Sequence, residues 1–68
     1  MEIFGKRLKE LREEKKLSQK NLADIFNTTN SSICDWERGR TEPNLIMLKE
    51  IAEYFEVSSD FLIGIKDD

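Results

Sequence analysis

The fold of this 68-residue chain is decided by residues 31–43, SSICDWERGRTEP. A short stretch with helical spacing stops at Gly39, and a loop containing Arg40 and Pro43 follows it. Upstream, residues 18–23, SQKNLA, begin another short helix, for which Ser18 supplies the capping hydroxyl. The two stretches together predict a pair of short helices joined by a tight turn.

The spacing of apolar residues along the whole chain predicts an all-α fold of five helices. The first two helices run from about residue 3 to 16 and from 19 to 26, and Asn27, which tolerates positive φ, marks the reversal after them. The third helix follows a cap at Thr29 and ends at Gly39. The fourth begins at residues 43–44, and the fifth lies between Ser58 and Gly64. The buried stripe of the fourth helix is Leu45, Leu48, Ile51, Ala52 and Phe55.

Length and charge limit the classes of protein to consider. Residues 1–68 are enough for a single small domain, with residues 66–68 frayed at the end. The net charge is −3, but residues 1–20 carry +3 and residues 21–68 carry −6. A local positive surface is therefore compatible with an acidic chain, although nucleic-acid-binding domains are more often basic. One cysteine and the lack of a long apolar run predict a cytoplasmic protein without a membrane segment.

In their order and spacing, these residues resemble the lambda-repressor-like, Cro/C1-type helix-turn-helix domains of the Xre family. The resemblance implies a helix-turn-helix over about residues 18–38, formed by helices two and three, that binds double-stranded DNA. It further implies a sequence-specific transcriptional regulator, most simply a repressor that binds a pseudo-palindromic operator as a dimer. No cofactor, metal or small-molecule effector is implied. The residues that carry the resemblance are Phe4, Leu17–Gln19, Leu22, Ala23, Ile33, Trp36–Gly39, Pro43, Ile51, Ala52 and Val57–Leu62.

The resemblance places base reading on the outward face of the third helix, at Asn30, Ser31 and Asp35. An asparagine can bond adenine through two hydrogen bonds, and a serine can bond several bases. A carboxylate accepts from the cytosine N4 amino group but is repelled by nearby phosphates, so Asp35 would penalise incorrect bases. The alternative is that Asp35 only balances the charge of Arg38 or Arg40.

Phosphate binding requires basic side chains, neutral amides and hydroxyls along the same surface. By the resemblance, Gln19 bonds a phosphate and helps to place the third helix, while Arg38 and Arg40 clamp the DNA backbone. The alternative for these residues is solvated surface polarity with no ligand. The predicted phosphate-binding set is Gln19, Lys20, Thr29, Arg38, Arg40 and Thr41.

Other residues of this region are predicted to be structural. The resemblance pairs Arg12 of the first helix with Glu37 in a partly buried ion pair. Trp36 is expected to pack inward rather than to stack on a base, and Cys34 is expected to be a thiol without a role. Glutamate is common in the family where Asn21 stands, so we expect an incomplete capping box on the second helix.

Two further classes of function are alternatives to DNA binding. The chain has no histidine, and no nucleophile is paired with a base, so we expect that it is not an enzyme. An antitoxin or adaptor that uses the same fold to bind another protein through its acidic half is the main alternative. A regulator is expected to be a homodimer, and the apolar residues Phe61, Ile63 and Ile65 form the candidate dimer patch.

Overall fold

The structure is a computed structural model that describes residues 1–67. Over these residues it contains five helices and no strand, which confirms the predicted all-α architecture. None of these five helices is long and apolar enough to cross a membrane. The helices are α1 (Glu2–Glu14), α2 (Gln19–Ile25), α3 (Asn30–Glu37), α4 (Leu45–Phe55) and α5 (Ser59–Ile63).

Four of the helices begin at a side chain that accepts a hydrogen bond from a first-turn amide. Ser18, Thr29, Asn44 and Ser58 cap α2, α3, α4 and α5 in this way, at distances of 2.8–3.1 Å. Since Asn44 is the cap, α4 begins at Leu45 rather than at residues 43–44. Such caps fix where each short helix starts, because a short helix gains little from its own backbone bonds.

The expectation of an incomplete capping box on α2 is wrong. The Ser18 hydroxyl accepts from the Asn21 amide at 2.9 Å, and the Asn21 side-chain oxygen accepts from the Ser18 amide at 3.1 Å. Both bonds of the box are therefore present. An asparagine amide oxygen is the same kind of acceptor as the usual glutamate or glutamine oxygen, and its shorter side chain still reaches the cap.

Residues other than glycine adopt the left-handed conformation after three of the helices, α1, α2 and α4. Asn27 has φ of +55°, which confirms the predicted reversal between α2 and α3. Lys16 and Glu56 have φ of +58° and +57°, although neither carries a side chain that favours this conformation. The turn at Lys16 is closed by a bond from the Leu17 amide to the Arg12 carbonyl at 3.1 Å, so α1 ends two residues earlier than predicted.

The core is formed by apolar side chains from all five helices. Trp36 is 7% exposed, which confirms its predicted inward packing. Leu45, however, is 83% exposed, so the predicted buried stripe of α4 is wrong at its first position because the first turn of α4 extends past the core. The buried core residues are Phe4, Leu8, Leu22, Ala23, Phe26, Ile33, Trp36, Ile51, Ala52, Phe55 and Leu62.

Gly5 permits the close approach of α1 to the end of α3. A Cβ atom at this position would lie 2.6 Å from the Glu37 carbonyl oxygen and would also meet the carbonyl oxygen of Trp36. Real Cβ atoms essentially never come this close to another heavy atom. The absence of a side chain at Gly5 therefore sets the depth at which α3 sits against α1.

Arg7 holds the C-terminal segment against α1. Its Nη1 donates to the carbonyl oxygens of Phe61 and Lys66, and its guanidinium lies 4.3 Å from the centre of the Phe61 ring. Its Nη2 lies 3.5 Å from the Asp67 carboxylate. The fraying of residues 66–68 stays a prediction: Lys66 and Asp67 contact Arg7, and Asp68 lies outside the described residues.

Candidate nucleic-acid interface

The helices α2 and α3 and the loop that follows α3 form a polar surface on one side of the molecule. Ile33 and Trp36 of α3 are buried in the core, which turns the opposite face of α3 outward. Asn30 and Ser31 are exposed at the start of this face, and neither side chain is hydrogen-bonded within residues 1–67. Their donors and acceptors are therefore available to a ligand.

Asp35 lies one turn further along the same face and is not free. Its Oδ1 lies 3.7 Å from Nη1 of Arg40, and the side chain of Asp35 is 39% exposed. Charge balancing by Arg40 was the alternative to base reading, and the structure contains that pair. The second carboxylate oxygen can still accept a bond, because a carboxylate has about four acceptor positions.

The end of α3 is fixed by the glycine stop. Gly39 has φ of +77°, its amide donates to the Trp36 carbonyl at 3.2 Å, and the Arg40 amide donates to the Asp35 carbonyl at 2.9 Å. This pair of bonds is the Schellman arrangement, which satisfies the last carbonyls of a helix. It also sets the start of the loop that carries Arg40 and Thr41.

The predicted phosphate-binding cations differ in what they already bind. Lys20 lies 3.3 Å from the Asp24 carboxylate one turn along α2, and Arg40 is paired with Asp35. Arg38 is exposed and has no ion pair within residues 1–67. Of these three cations, Arg38 is thus the one whose charge no carboxylate balances within residues 1–67.

Two of the predicted neutral phosphate ligands are also engaged. The Thr29 hydroxyl accepts from the Ser32 amide at 3.1 Å and donates to the Ser32 hydroxyl at 3.0 Å, so both its donor and one acceptor position serve the α3 cap. Gln19 donates from Nε2 to Glu37 Oε1 at 3.0 Å. Nε2 carries a second hydrogen, which can serve a phosphate oxygen. Thr41 is exposed in the loop after Gly39.

Arg12 and Glu37 lie in contact and connect α1 to the end of α3. Arg12 donates from Nε to Glu37 Oε2 at 2.6 Å and from Nη2 to Oε1 at 3.1 Å, a two-point contact. Its Nη1 donates to the Leu17 carbonyl at 2.8 Å. The two side chains are 12% and 4% exposed. The hydrogen bond to Glu37 raises the pKa of Arg12, and burial opposes this rise.

The contact between Gln19 and Glu37 was not predicted from the sequence. Since a carboxylate only accepts, the Nε2 atom of Gln19 must face Glu37, which fixes the orientation of the Gln19 amide. The same carboxylate binds Arg12, so α1, α2 and α3 meet at one group. Eighteen residues separate Gln19 from Glu37, and a helical pattern contains no signal for a contact at that separation.

The family follows from a match to most of the chain. The helix-turn-helix family model HTH_3 covers residues 8–62. The chain belongs to the helix-turn-helix family. This membership, with α2 and α3 as the paired helices, confirms the family predicted from the sequence.

A solved structure is also similar to this helix-turn-helix protein. The P22 c2 repressor, solved in complex with synthetic operator 9T, superposes on it with a TM-score of 0.83 and 31% identity, covering 91% of this chain and 94% of the other.

Two curated relatives carry different functional names. ImmR, an HTH-type transcriptional regulator of Bacillus subtilis, is 36% identical over 65 residues, 96% of this chain and 50% of its own length. Multiprotein-bridging factor 1 of Debaryomyces hansenii is 43% identical over 47 residues, 69% of this chain and 31% of its own length. The chain spans about half the length of ImmR and of a second HTH-type regulator of Bacillus subtilis, the prophage-derived YonR.

Proposed function

We propose that this helix-turn-helix protein is a sequence-specific regulator of transcription that binds double-stranded DNA in the cytoplasm. The observation that carries the proposal is the exposed polar face of α3, where Asn30 and Ser31 have no internal partner. The close match to a repressor solved on operator DNA supports placing this face in the major groove. Repression by steric exclusion of the polymerase is the simplest mechanism for such a domain.

The proposed contacts divide into base and phosphate contacts. Asn30, Ser31 and the free oxygen of Asp35 would read base edges, because their donors and acceptors project from α3. Arg38, Thr41 and the second Nε2 hydrogen of Gln19 would bind phosphates directly. Lys20 and Arg40 would do so through the N–H groups that do not face their carboxylate partners, or after leaving those partners. We assign Thr29 to the α3 cap, since its hydroxyl is already bonded there.

We propose a homodimer whose interface differs in part from the patch predicted at Phe61, Ile63 and Ile65. Phe61 is half-buried beneath the Arg7 guanidinium, which makes it a poor interface residue. Ile63 instead lines a largely apolar groove of about 200 Å³ together with Leu45. Because Leu45 is 83% exposed beside this groove, a second copy can insert its own Leu45 there in a two-fold arrangement. Ile65, 68% exposed, extends the patch.

An adaptor that binds proteins is the second candidate function. The resemblance to Multiprotein-bridging factor 1 favours it, as does the pairing of two of the phosphate-binding cations with carboxylates. An adaptor needs neither an operator nor a two-fold dimer. We place it second because the surface of α3 that lacks internal partners is polar rather than apolar.

Selection of bound sites from random duplex DNA tests the proposed function. We expect enrichment of a pseudo-palindrome whose half-sites lie about one helical turn apart, ~34–36 Å, first at low salt and then at physiological salt. The variant Asn30→Ala serves as the control for base reading, since it keeps every phosphate-binding cation and should change the enriched sequence. If no sequence is enriched by the wild type at either salt concentration, the regulator proposal is wrong.

A further inference from the structure

Asp35 and Arg40 are held together by the way α3 ends. The bond from the Arg40 amide to the Asp35 carbonyl, 2.9 Å, places residue 40 beside the last turn of α3. The guanidinium then lies 3.7 Å from the Asp35 carboxylate, with the two side chains 63% and 39% exposed. Asp35, which is expected to read bases, and Arg40, which is expected to bind phosphate, are thus paired with each other in the free protein.

A carboxylate and a DNA phosphate compete for the same arginine, because both are oxyanions that accept from a guanidinium. We propose that Asp35 is an internal substitute for the DNA phosphate, which holds Arg40 on non-specific DNA and releases it only where a cytosine N4 amino group reaches Asp35. The inference rests on the proposed DNA-binding function and adds to it. It makes the Asp35–Arg40 pair a determinant of specificity rather than a static ion pair.

The energetic argument depends on what Asp35 would face after Arg40 leaves. On DNA without a cytosine at this position, transfer of Arg40 to a phosphate leaves the carboxylate unpaired near other phosphates, which repel it. On DNA with the cytosine, the amino group gives the carboxylate a new donor, and Arg40 is free to bind the backbone. An exposed pair at 3.7 Å is weak enough for this exchange to take place.

The pair between Lys20 and Asp24 differs in this respect. Both its members lie on α2, one turn apart, and are 78% and 68% exposed. Asp24 is not on the outward face of α3, so no base edge would replace Lys20 as its partner. Release of Lys20 would therefore be the same on every DNA sequence, whereas release of Arg40 depends on the base.

The experiment measures the affinity of the 68-residue protein for a selected site and for a scrambled duplex across a salt titration. The variants are Asp35→Asn, Arg40→Ala and the double variant, and Glu53→Gln is the control that makes the same charge change on α4. We expect Asp35→Asn to tighten binding to the scrambled duplex by about fivefold, the upper end for one exposed ion pair, and to steepen its salt dependence by ~0.9 in log–log slope. On the selected site the same variant should bind more weakly.

The deciding comparison is between the effect of Asp35→Asn in the wild type and its effect in the Arg40→Ala variant. If Asp35 restrains Arg40, the gain of Asp35→Asn on the scrambled duplex should be about threefold smaller in the Arg40→Ala background. An equal gain in both backgrounds, or an equal gain from Glu53→Gln, would show general charge repulsion and overturn this inference while the regulator proposal stands. If the wild type binds neither duplex at low salt, the regulator proposal and this inference are both wrong.

Discussion

At the scale of single residues, one carboxylate organises the surface proposed to bind DNA. Glu37 receives Arg12 from α1 and Gln19 from the start of α2, and it lies itself at the end of α3. Its side chain is 4% exposed, so the carboxylate depends on these donors rather than on water. The position of α3, the proposed recognition helix, and the orientation of the Gln19 amide are therefore set by the same group.

Removal of the arginine should destabilise the protein strongly. Arg12→Ala leaves Glu37 buried without its cation, and loss of one member of a buried pair commonly costs ~3–5 kcal/mol of unfolding free energy. We expect a fall in Tm of roughly 12 °C or more, because 1 kcal/mol corresponds to about 4–8 °C in a domain of this size. Thermal unfolding followed by circular dichroism measures this.

The matched control is Lys20→Ala, which breaks an exposed ion pair and should cost less than ~1 kcal/mol. Equal changes in Tm for the two variants would contradict a structural role for the contact between Arg12 and Glu37.

Arg38 should act as a phosphate contact on every DNA sequence, because it has no ion pair within residues 1–67 that must first be broken. We expect Arg38→Ala to weaken binding to selected and scrambled duplexes by the same factor and to reduce the salt slope by ~0.9. Fluorescence anisotropy across a salt titration measures both. An effect on the selected site alone would instead assign Arg38 to base reading.

At the scale of helices, the packing of α1 against α3 determines how far α3 projects from the rest of the domain. The contact is made at Gly5, where a Cβ atom would lie 2.6 Å from the Glu37 carbonyl oxygen. The end of α3 carries Glu37, Arg38 and the Schellman turn to Arg40. A shift of this contact would therefore displace several of the proposed DNA contacts together.

The substitution Gly5→Ala tests this contact. Alanine favours a helix over glycine by about 1 kcal/mol, but the added methyl group forces α1 and α3 apart, and overpacking typically costs ~1–3 kcal/mol. We expect a net loss of stability in chemical denaturation. Lys6→Ala, at the exposed neighbouring position, should be close to neutral. A Gly5→Ala variant more stable than the wild type would show that the helices do not approach as described.

At the scale of the whole molecule, recognition of a two-fold site requires two recognition helices and hence a second copy of the chain. Leu45 lies beside the apolar groove that is also lined by Pro43 and Ile63. Glu42 and Pro43, from the loop after Gly39, form part of the groove wall, so a contact here would join two copies close to the loops proposed to bind DNA. The dimer and the DNA-binding surface would then be adjacent parts of one structure.

The substitution Leu45→Glu should abolish cooperative binding to a duplex with two half-sites, because it places charge in the apolar groove of the second copy. Binding to a single half-site should be unchanged. Ile46→Glu is the matched control, since Ile46 is 71% exposed on the same helix but does not line the groove. Sedimentation on both duplexes measures the stoichiometry. Loss of cooperativity in both variants, or in neither, would exclude this groove as the interface.

Local signals predicted most of the fold, whereas contacts between distant segments were beyond the sequence pattern. Caps such as Ser18 and Thr29, and the stop at Gly39, are read from neighbouring residues, because their bonds span only three to five positions. The packing role of Gly5 depends on where α3 lies, over thirty residues away. The exposure of Leu45 was missed because periodicity marks the face of a helix and not the point where the core ends.

In the candidate site, too, local features were predicted from the sequence and a contact between distant segments was not. The residue types on α3 and its exit loop were predicted from their positions in the motif. The sequence did not reveal that Gln19 is already bonded to Glu37, because this contact joins the start of α2 to the end of α3. The partners of Thr29 and Lys20 are local, at Ser32 and Asp24. Tertiary packing sets the partner of Gln19, and all three partners affect which groups a ligand can reach without competition.

The central claim is that the polar face of α3 reads base sequence, and the ratio of affinities for a selected site and a scrambled duplex at physiological salt tests it most directly. Specific DNA-binding proteins typically show ratios of 10³ or more, roughly 4 kcal/mol or above. We predict a ratio of about that size for the wild type, with a large reduction in Asn30→Ala. A ratio near one, at any absolute affinity, would contradict the account.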